Sequence, residues 1–373
     1  MPTEAKHELI SRELAAEIVA GKYGPGGRIP SEHRLVERFG VSRPTVARAL
    51  RDLQDRGMVE RRVGSGSFVR AAPAADVVAR QFGLLIPGLG TTEIFEAVCG
   101  ELAGLARAHG YGLLWGGTGT GTRPPGDPSI EDAAGLCDQF IRGRVAGVFF
   151  APFEHVEGRA EINRDLAERL RRAGLAVILL DRDLGSYPAR SEFDLVGVDN
   201  FAGGYALAEH LLKLGCRNLA YAARPLSAAT VHARIAGARE AMLDRGLDVP
   251  RGFVHVGDPD DVSFARGLVE NAKADAVLCA NDDVAALLMR SIERSGSRVP
   301  ADVRVVGFDD VRFATLLSVP LTTMHQPCRE IALVALKAMQ DRIADPALPA
   351  RSLTVSPRLV VRESCGAYGK VQT

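Results

Sequence analysis

Paired cysteines are what this 373-residue chain most plainly lacks. Its six cysteines (Cys99, Cys137, Cys216, Cys279, Cys328 and Cys365) are scattered, without a Cys-x-x-Cys motif, and most sit inside apolar runs. That pattern excludes a disulfide framework and fits free thiols in a reducing compartment. Long hydrophobic runs are missing as well, since none approaches the roughly 20 residues needed to span a bilayer. Residues 1–8 hold no apolar signal core, so a soluble, cytoplasmic protein is expected. Beyond residue 70 lysines are few and none stands where a Schiff base needs one. No Ser/His/Asp or Cys/His set stands out either. These absences disfavour an enzyme, and no catalytic residue, metal or cofactor is expected.

The length suits two or three domains, and 46% hydrophobic residues suffice for a large core. Net charge is zero but unevenly spread. Residues 1–70 hold 13 Lys+Arg against 9 Asp+Glu, and the remainder hold 33 against 37. A basic end on an acidic body is the footprint of a nucleic-acid reader. Leu9, Ile10, Leu14, Ile18 and Val19 recur at helical spacing, predicting a helix over 7–20. Gly21 to Pro30 interrupts it. Ser31 caps a second helix with Leu35, Val36 and Phe39 inward and Gly40 at its end. Ser42 caps a third, whose stripe of Val46, Ala49, Leu50 and Leu53 leaves Arg43, Thr45, Arg48 and Arg51 outside. Residues 58–62 and 67–70 read as short strands joined by a Gly64-Ser65-Gly66 turn.

Helix, turn, capped helix and basic hairpin in that order describe a winged helix-turn-helix over residues 1–70. The stretches Gly24 to Glu32, Val41-Ser42-Arg43-Pro44-Thr45-Val46 and Gly64 to Val69 resemble the N-terminal domain of the GntR family. The resemblance implies that Arg43 and Thr45 meet DNA from the start of the recognition helix. It also implies that Gly66 lets the wing backbone approach the minor groove. The DNA-facing set it implies is Arg28, Ser31, His33, Ser42, Arg43, Thr45, Arg48, Ser65 and Gly66. Two positions depart from the family: His33 and Ala47 stand where arginines are usual. Ala47 cannot form a bidentate guanine contact, so operator sequence does not transfer from relatives.

Residues 71–79, small and proline-bearing, read as a linker. From residue 80 to 365, β runs alternate with helical patterns, as in parallel sheets covered by helices on both faces. In such sheets ligands bind beyond the carboxyl ends of the strands. Those ends are polar here: Asp181-Arg182, Asn281-Asp282, Asp309-Asp310 and Gln326, with Arg234 near the start of a helix. Acids, amides and guanidinium groups converging from separate strands suit a ring of hydroxyls, each of which donates and accepts. Other readings stay open. Asp199 and Asn281 also fit as helix caps, Asp181–Arg182 as a local ion pair, and the Asp282–Asp283 and Asp309–Asp310 acids as a cation site.

Residues 81–362 resemble the LacI-type regulatory domain, similar in fold to periplasmic sugar-binding proteins. The marks are Val196 to Gly204, Ala233 to Gly237, Ala280 to Ala285, Val305 to Asp310 and Pro320 to Thr323. The resemblance implies an α/β domain of two lobes, each a parallel doubly wound sheet, crossed three times by the chain. Lobe one is expected over about 81–216 and 325–345, lobe two over about 217–324 and 352–362. Ligand contacts are implied at Phe95, Asp181, Arg182, Arg234, Asn281, Asp309 and Gln326, the Asp-Arg pair resembling pentose-binding relatives. Ile94 and Pro259 stand where aromatics are usual, which leaves one stacking wall unassigned. The two resemblances together imply a homodimeric, ligand-responsive regulator that binds double-stranded operator DNA. A repressor of carbohydrate-use genes released by a pentose-like monosaccharide is the expectation. The alternatives are a purine or other non-sugar effector, and an effector acting as co-repressor.

Overall fold

The computed structural model describes residues 6–19, 22–24, 27–55, 58–62, 66–69, 81–87, 93–116 and 130–368. The chain divides into two compact units, Met1–Ala79 and Arg80–Thr373. Gly64 and Ser65 of the expected turn, and the linker expected at 71–79, lie outside the described residues.

In the first unit, helices α1 (Lys6–Val19), α2 (Glu32–Phe39) and α3 (Arg43–Asp55) precede strands β1 (Val59–Arg62) and β2 (Gly66–Val69). The apolar spacing seen in the sequence closes on itself: Ile10 and Leu14 of α1 pack with Leu35 of α2 and Val46, Ala49 and Leu53 of α3. Leu9, assigned to that stripe, is exposed. β1 and β2 pair antiparallel from Val59↔Val69 to Arg62↔Gly66. Residues 27–29 add a third edge, with Ile29 N–H donating to Ser67 O (3.0 Å) and Val69 N–H to Gly27 O (2.8 Å). Glu17 ties α1 to α2 by accepting from both Nη atoms of Arg38 (2.7 and 2.9 Å).

The second unit holds two parallel sheets. The larger has strands β3 (Gln81–Leu85), β4 (Gly112–Leu114), β5 (Gly147–Phe150), β6 (Ala176–Leu180), β7 (Asp194–Val198) and β13 (Ser352–Val355), in the order β13-β7-β6-β5-β3-β4. The smaller has β8 (Leu219–Ala223), β9 (Val254–Val256), β10 (Ala276–Cys279) and β11 (Arg304–Val306), in the order β11-β10-β8-β9. A third ladder pairs β12 (Thr323–His325) with β14 (Arg358–Val360), antiparallel. Covering helices are α4 (Glu93–Ala108), α5 (Ile130–Gly143), α6 (Arg159–Arg172), α7 (Asn200–Lys213), α8 (Ala229–Asp244), α9 (Val262–Arg266), α10 (Asp282–Arg294) and α11 (Cys328–Ala344). Buried runs such as Val177 to Leu180 and Ala276 to Cys279 explain the unbroken hydrophobicity of these strands: both faces are covered.

The lobe boundaries expected from sequence need two corrections. α7 belongs to lobe two, so lobe one ends near 199 rather than 216. The reason is a reciprocal close approach of α7 and α8. A Cβ on Gly204 would lie 2.0 Å from Arg234 O, and one on Gly237 would lie 2.0 Å from Phe201 O. Only glycine permits that spacing. The last strand region also splits. β13 joins lobe one, parallel to β7 with Leu353↔Val196. Residues from 358 onward join lobe two, where Ser364 Oγ donates to Val305 O (2.6 Å) and accepts from Thr322 N–H (2.8 Å).

What anchors β13 is a carboxylate. Asp194, fully buried, accepts from Arg342 Nε (3.0 Å) and from Arg351 N–H (2.8 Å) and Nε (3.3 Å). One acid thereby joins β7, α11 and the residue that opens β13. Removing one member of a buried pair strands the other charges. Asp194→Ala should therefore destabilise the second unit by about 3–5 kcal/mol, read by chemical denaturation followed by circular dichroism. A loss below about 1 kcal/mol contradicts the anchoring role.

Candidate functional site

Parallel strands deliver their carboxyl ends to one edge, and in the second unit the edges of the two sheets face each other across a cavity of about 510 Å³. All seven residues implied as ligand contacts line it: Phe95, Asp181, Arg182, Arg234, Asn281, Asp309 and Gln326. Phe95 comes from the first turn of α4, Asp181 and Arg182 from the end of β6, Asn281 from the end of β10, and Arg234 from α8. Asp309 and Gln326 follow β11 and β12, at one of the crossings between lobes.

Arg182 is buried, and its charge is matched twice. Nη1 contacts Glu154 Oε1, and Nε lies 3.2 Å from Asp181 Oδ2. The second contact is an ion pair without hydrogen-bond geometry, which leaves the buried Nε–H unpartnered. The guanidinium also sits over the Phe95 ring, 5.2 Å from its centroid. Burial alone would lower the Arg182 pKa, but Glu154 and Asp181 hold it above the ordinary value. Burial raises Asp181 despite Arg182. Burial likewise works to raise Glu154, yet Arg182, His155 and Arg234 together hold that carboxyl below its usual range.

Across the cleft Arg234 is buried against Phe308, 3.6 Å from guanidinium to ring centroid. Its Nε donates to Asn200 Oδ1 (2.8 Å) and its Nη1 to Ala280 O (2.6 Å), with no protein partner for Nη2 among the described residues. Asp309 accepts from Gln326 Nε2 (2.7 Å). Its φ of +130° and that of Asp310 at +59° mark a bend that side chains rarely adopt. Burial pushes the Asp309 carboxyl well above the ordinary carboxylate range, opposed by Arg234 and reinforced by Asp282. Asn281 is a cap as well as a lining residue, accepting from Val284 N–H (2.9 Å); Asp199 caps α7 at the same distance.

The four acids that also read as a cation site have separate partners. Asp282 accepts from Thr323 Oγ1 and Val311 N–H, Asp310 pairs with Arg362 and His325, and Asp283 pairs with Arg224. Among the described residues no group of three or more His, Cys, Asp or Glu is placed to hold a metal.

Sequence reasoning passed over Glu93, Glu154, His155 and Phe313, which also line the cavity. Glu154 and His155 are strand-end residues like the others, masked by an apolar run that continues through Phe153. Phe313 rides a single 3₁₀ turn, Arg312–Thr315, and supplies an aromatic where Ile94 and Pro259 left a wall unassigned. Rim contacts bridge the lobes directly, among them Arg312 N–H donating to Glu93 Oε2 (2.8 Å), His155 N–H to Leu226 O (2.9 Å) and Arg159 Nη2 to Ser227 O (3.2 Å).

On the first unit, Ser31 Oγ accepts from Arg34 N–H (3.4 Å), capping α2. Ser42 Oγ lies 2.8 Å from Thr45 Oγ1, so its hydroxyl pairs with a side chain at the start of α3. Arg43 is exposed and paired through Nε with Glu32 Oε2 (3.1 Å), whose other oxygen accepts from Arg61 of β1 (3.0 Å). Glu32 thus links the recognition helix to the wing. Arg28 and Arg48 are exposed and form no ion pair among the described residues, while His33 pairs with Glu37 (3.6 Å). Gly66 has φ +108° and lies against Arg28; a Cβ there would sit 3.1 Å from Arg28 Nε. Ser65 lies outside the described residues.

Comparison with known proteins follows the two units. Residues 6–69 match the bacterial regulatory proteins of the gntR family, and residues 208–365 match the periplasmic binding protein-like domain. The chain is 26% identical over 387 residues to the arabinose metabolism transcriptional repressor of Geobacillus stearothermophilus, covering 97% of this chain and 98% of that protein. It is 34% identical over 181 residues to the HTH-type transcriptional repressor PurR of Salmonella newport, covering 47% of this chain and 53% of that one. A transcriptional regulator CelR–cellobiose complex shares the fold at a TM-score of 0.65 and 24% identity, over 87% of this chain and 91% of that one. The chain joins a gntR-type head to a periplasmic-binding-protein-like domain.

Proposed function

We propose that the chain is a cytoplasmic, homodimeric repressor of carbohydrate-use genes, released from its operator by a monosaccharide of pentose-like size. The observation that carries this reading is the polar ring of the cleft. Asp181 and Arg182 face from one lobe, Arg234 and Asn281 from the other, with Asp309 and Gln326 at a crossing between them. Donors and acceptors then alternate around a space that a hydroxylated ring fills, while Phe95 and Phe313 offer apolar faces to its C–H surfaces. The repressor from Geobacillus stearothermophilus, named for arabinose metabolism, and the cellobiose complex of CelR support a sugar effector.

The ligand acts through its differential affinity for two arrangements of the lobes. Groups from both lobes contact it at once only when the cleft is closed. Binding therefore favours the closed arrangement and, through a dimer, changes the relation of two heads to a two-fold related operator. In the heads, Arg43 and Thr45 at the start of α3 read base edges, Arg48 and His33 meet phosphates, and Ser31 and Ser42 set the helix starts. Arg28, Ser65 and Gly66 bring the wing to the backbone.

Two substitutions separate these roles. Arg43→Ala should weaken operator binding by about 1–3 kcal/mol, with a smaller loss on random DNA, in parallel fluorescence titrations. Equal losses on both DNAs would make Arg43 a phosphate contact, and no loss removes the recognition-helix assignment. Asp309→Ala should weaken sugar binding by about 1–3 kcal/mol and leave operator affinity in place, so that the variant stays bound at sugar levels that release the wild type. Calorimetry against pentoses, hexoses and nucleobases beside operator release checks this. Wild-type sugar affinity in the variant would place the pocket elsewhere.

A further inference from the structure

We infer that Glu154 makes the effector cleft selective for an uncharged sugar, by occupying the Arg182 guanidinium that would otherwise receive an anionic group. The inference rests on the sugar-sensing reading above and concerns the charge of the ligand that reading calls for.

Among the described residues three arginines line the cavity, and no lysine does. Two are paired with acids before a ligand arrives, and the third is held by neutral groups. Arg182 is held by Glu154 and lies against Asp181. Arg224 pairs through Nη2 with Asp283 Oδ2 at 3.2 Å. Arg234 spends Nε and Nη1 on Asn200 and Ala280 and faces Asp309 across the same space. Against these stand five lining carboxylates: Glu93, Glu154, Asp181, Asp283 and Asp309. A phosphate or carboxylate group on the sugar would find Arg182 and Arg224 already paired with acids, and would lie beside Asp181 and Asp309 in a setting where water screens little. A hydroxyl group meets no such penalty. The free Arg234 Nη2 donates to it, and Asp181 and Asp309 accept from it.

Glu154 is the residue on which this turns. Arg182 is buried, so its guanidinium charge has little access to solvent, and Glu154 and Asp181 are the acids that balance it among the described residues. Replacing that carboxylate by an amide of the same shape leaves Arg182 with Asp181 alone and opens a cationic donor toward the ligand space.

The full-length protein should be titrated calorimetrically with neutral aldopentoses and aldohexoses, their terminal phosphate esters, and the corresponding uronic and aldonic acids. The expected result is a neutral sugar bound at least about tenfold more tightly than any anionic counterpart. Glu154→Gln should then shift the ratio of anionic to neutral affinity by about tenfold or more toward the anion, and that gain should fade with added salt. An anionic sugar bound by the wild type as tightly as its neutral form overturns the inference while leaving a sugar sensor in place. So does a folded Glu154→Gln variant whose ratio is unmoved. If thermal unfolding shows the variant misfolded, the wild-type neutral-to-anionic ratio decides alone. If no sugar of either charge binds, the sugar reading itself fails, and the inference falls with it.

Discussion

One buried carboxylate holds the ligand-facing end of lobe two in register. Asp282 has no exposed surface. Its N–H donates to Phe308 O (2.9 Å), Oδ1 accepts from Thr323 Oγ1 (2.5 Å), and Oδ2 accepts from Val311 N–H (3.0 Å). The ends of β10, β11 and β12 are thereby fastened to one residue. Between the fastened points the chain must bend sharply, and it does so at Asp309 and Asp310 in left-handed backbone. A strained conformation persists where its surroundings over-determine it. Here the bend turns the Asp309 carboxyl to Gln326 and the cleft, and the Asp310 carboxyl to Arg362 and His325. Burial raises the Asp282 carboxyl above its usual range, and the Thr323 and Val311 hydrogen bonds oppose that rise.

The cleft follows the same rule on a larger scale. A guanidinium loses hydration when buried, and it is tolerated where geometry supplies replacements. Arg182 receives them as carboxylates, and Arg234 as an amide, a carbonyl and the face of Phe308. The two arginines are therefore different tools. Arg182 brings no unmatched charge to the ligand, whereas Arg234 keeps its charge and is balanced only at a distance by Asp309. A polar ring assembled in this way is rigid before the ligand enters, which lowers the ordering cost of binding.

Much of this was legible in the sequence because it depends on local pattern. The head was readable from capping serines at Ser31 and Ser42 and from the stripe Val46, Ala49, Leu53, each set by neighbours within a turn or two. Asp181, Arg182, Asn281, Asp309 and Gln326 were readable from the strand-end rule, which needs only an apolar run and the polar residue that ends it, whereas Phe95, on a helix, followed only from the resemblance. What escaped depends on contacts distant in sequence. Gly204 and Gly237 show their meaning only when α7 and α8 touch, and without that contact α7 reads as the last helix of lobe one. Asp194 and Arg351 stand far apart in the chain, so nothing near Ser352 announces that β13 returns to the first sheet. Glu154 was hidden for a local reason: Ala151, Pro152 and Phe153 extend the hydrophobic run past the end of β5 and blur where the strand stops. Phe313 lies on one 3₁₀ turn, too short for periodicity to reveal.

The rim contacts bear on how a small ligand acts on a two-lobed body. Arg312 N–H to Glu93 and His155 N–H to Leu226 O join the lobes at the cleft, and neither needs a ligand. His155 and Leu226 both hold positive φ, 58° and 57°, so this contact is made by strained backbone on either side. Such bridges narrow the free-energy gap between open and closed arrangements without abolishing it. A ligand then has less work to do, because its differential affinity need only exceed the gap that remains. The sensitivity of the response is then set in part by contacts between the lobes themselves. The rim and the polar ring are thus two separable controls, one on how readily the cleft closes and one on what it closes around.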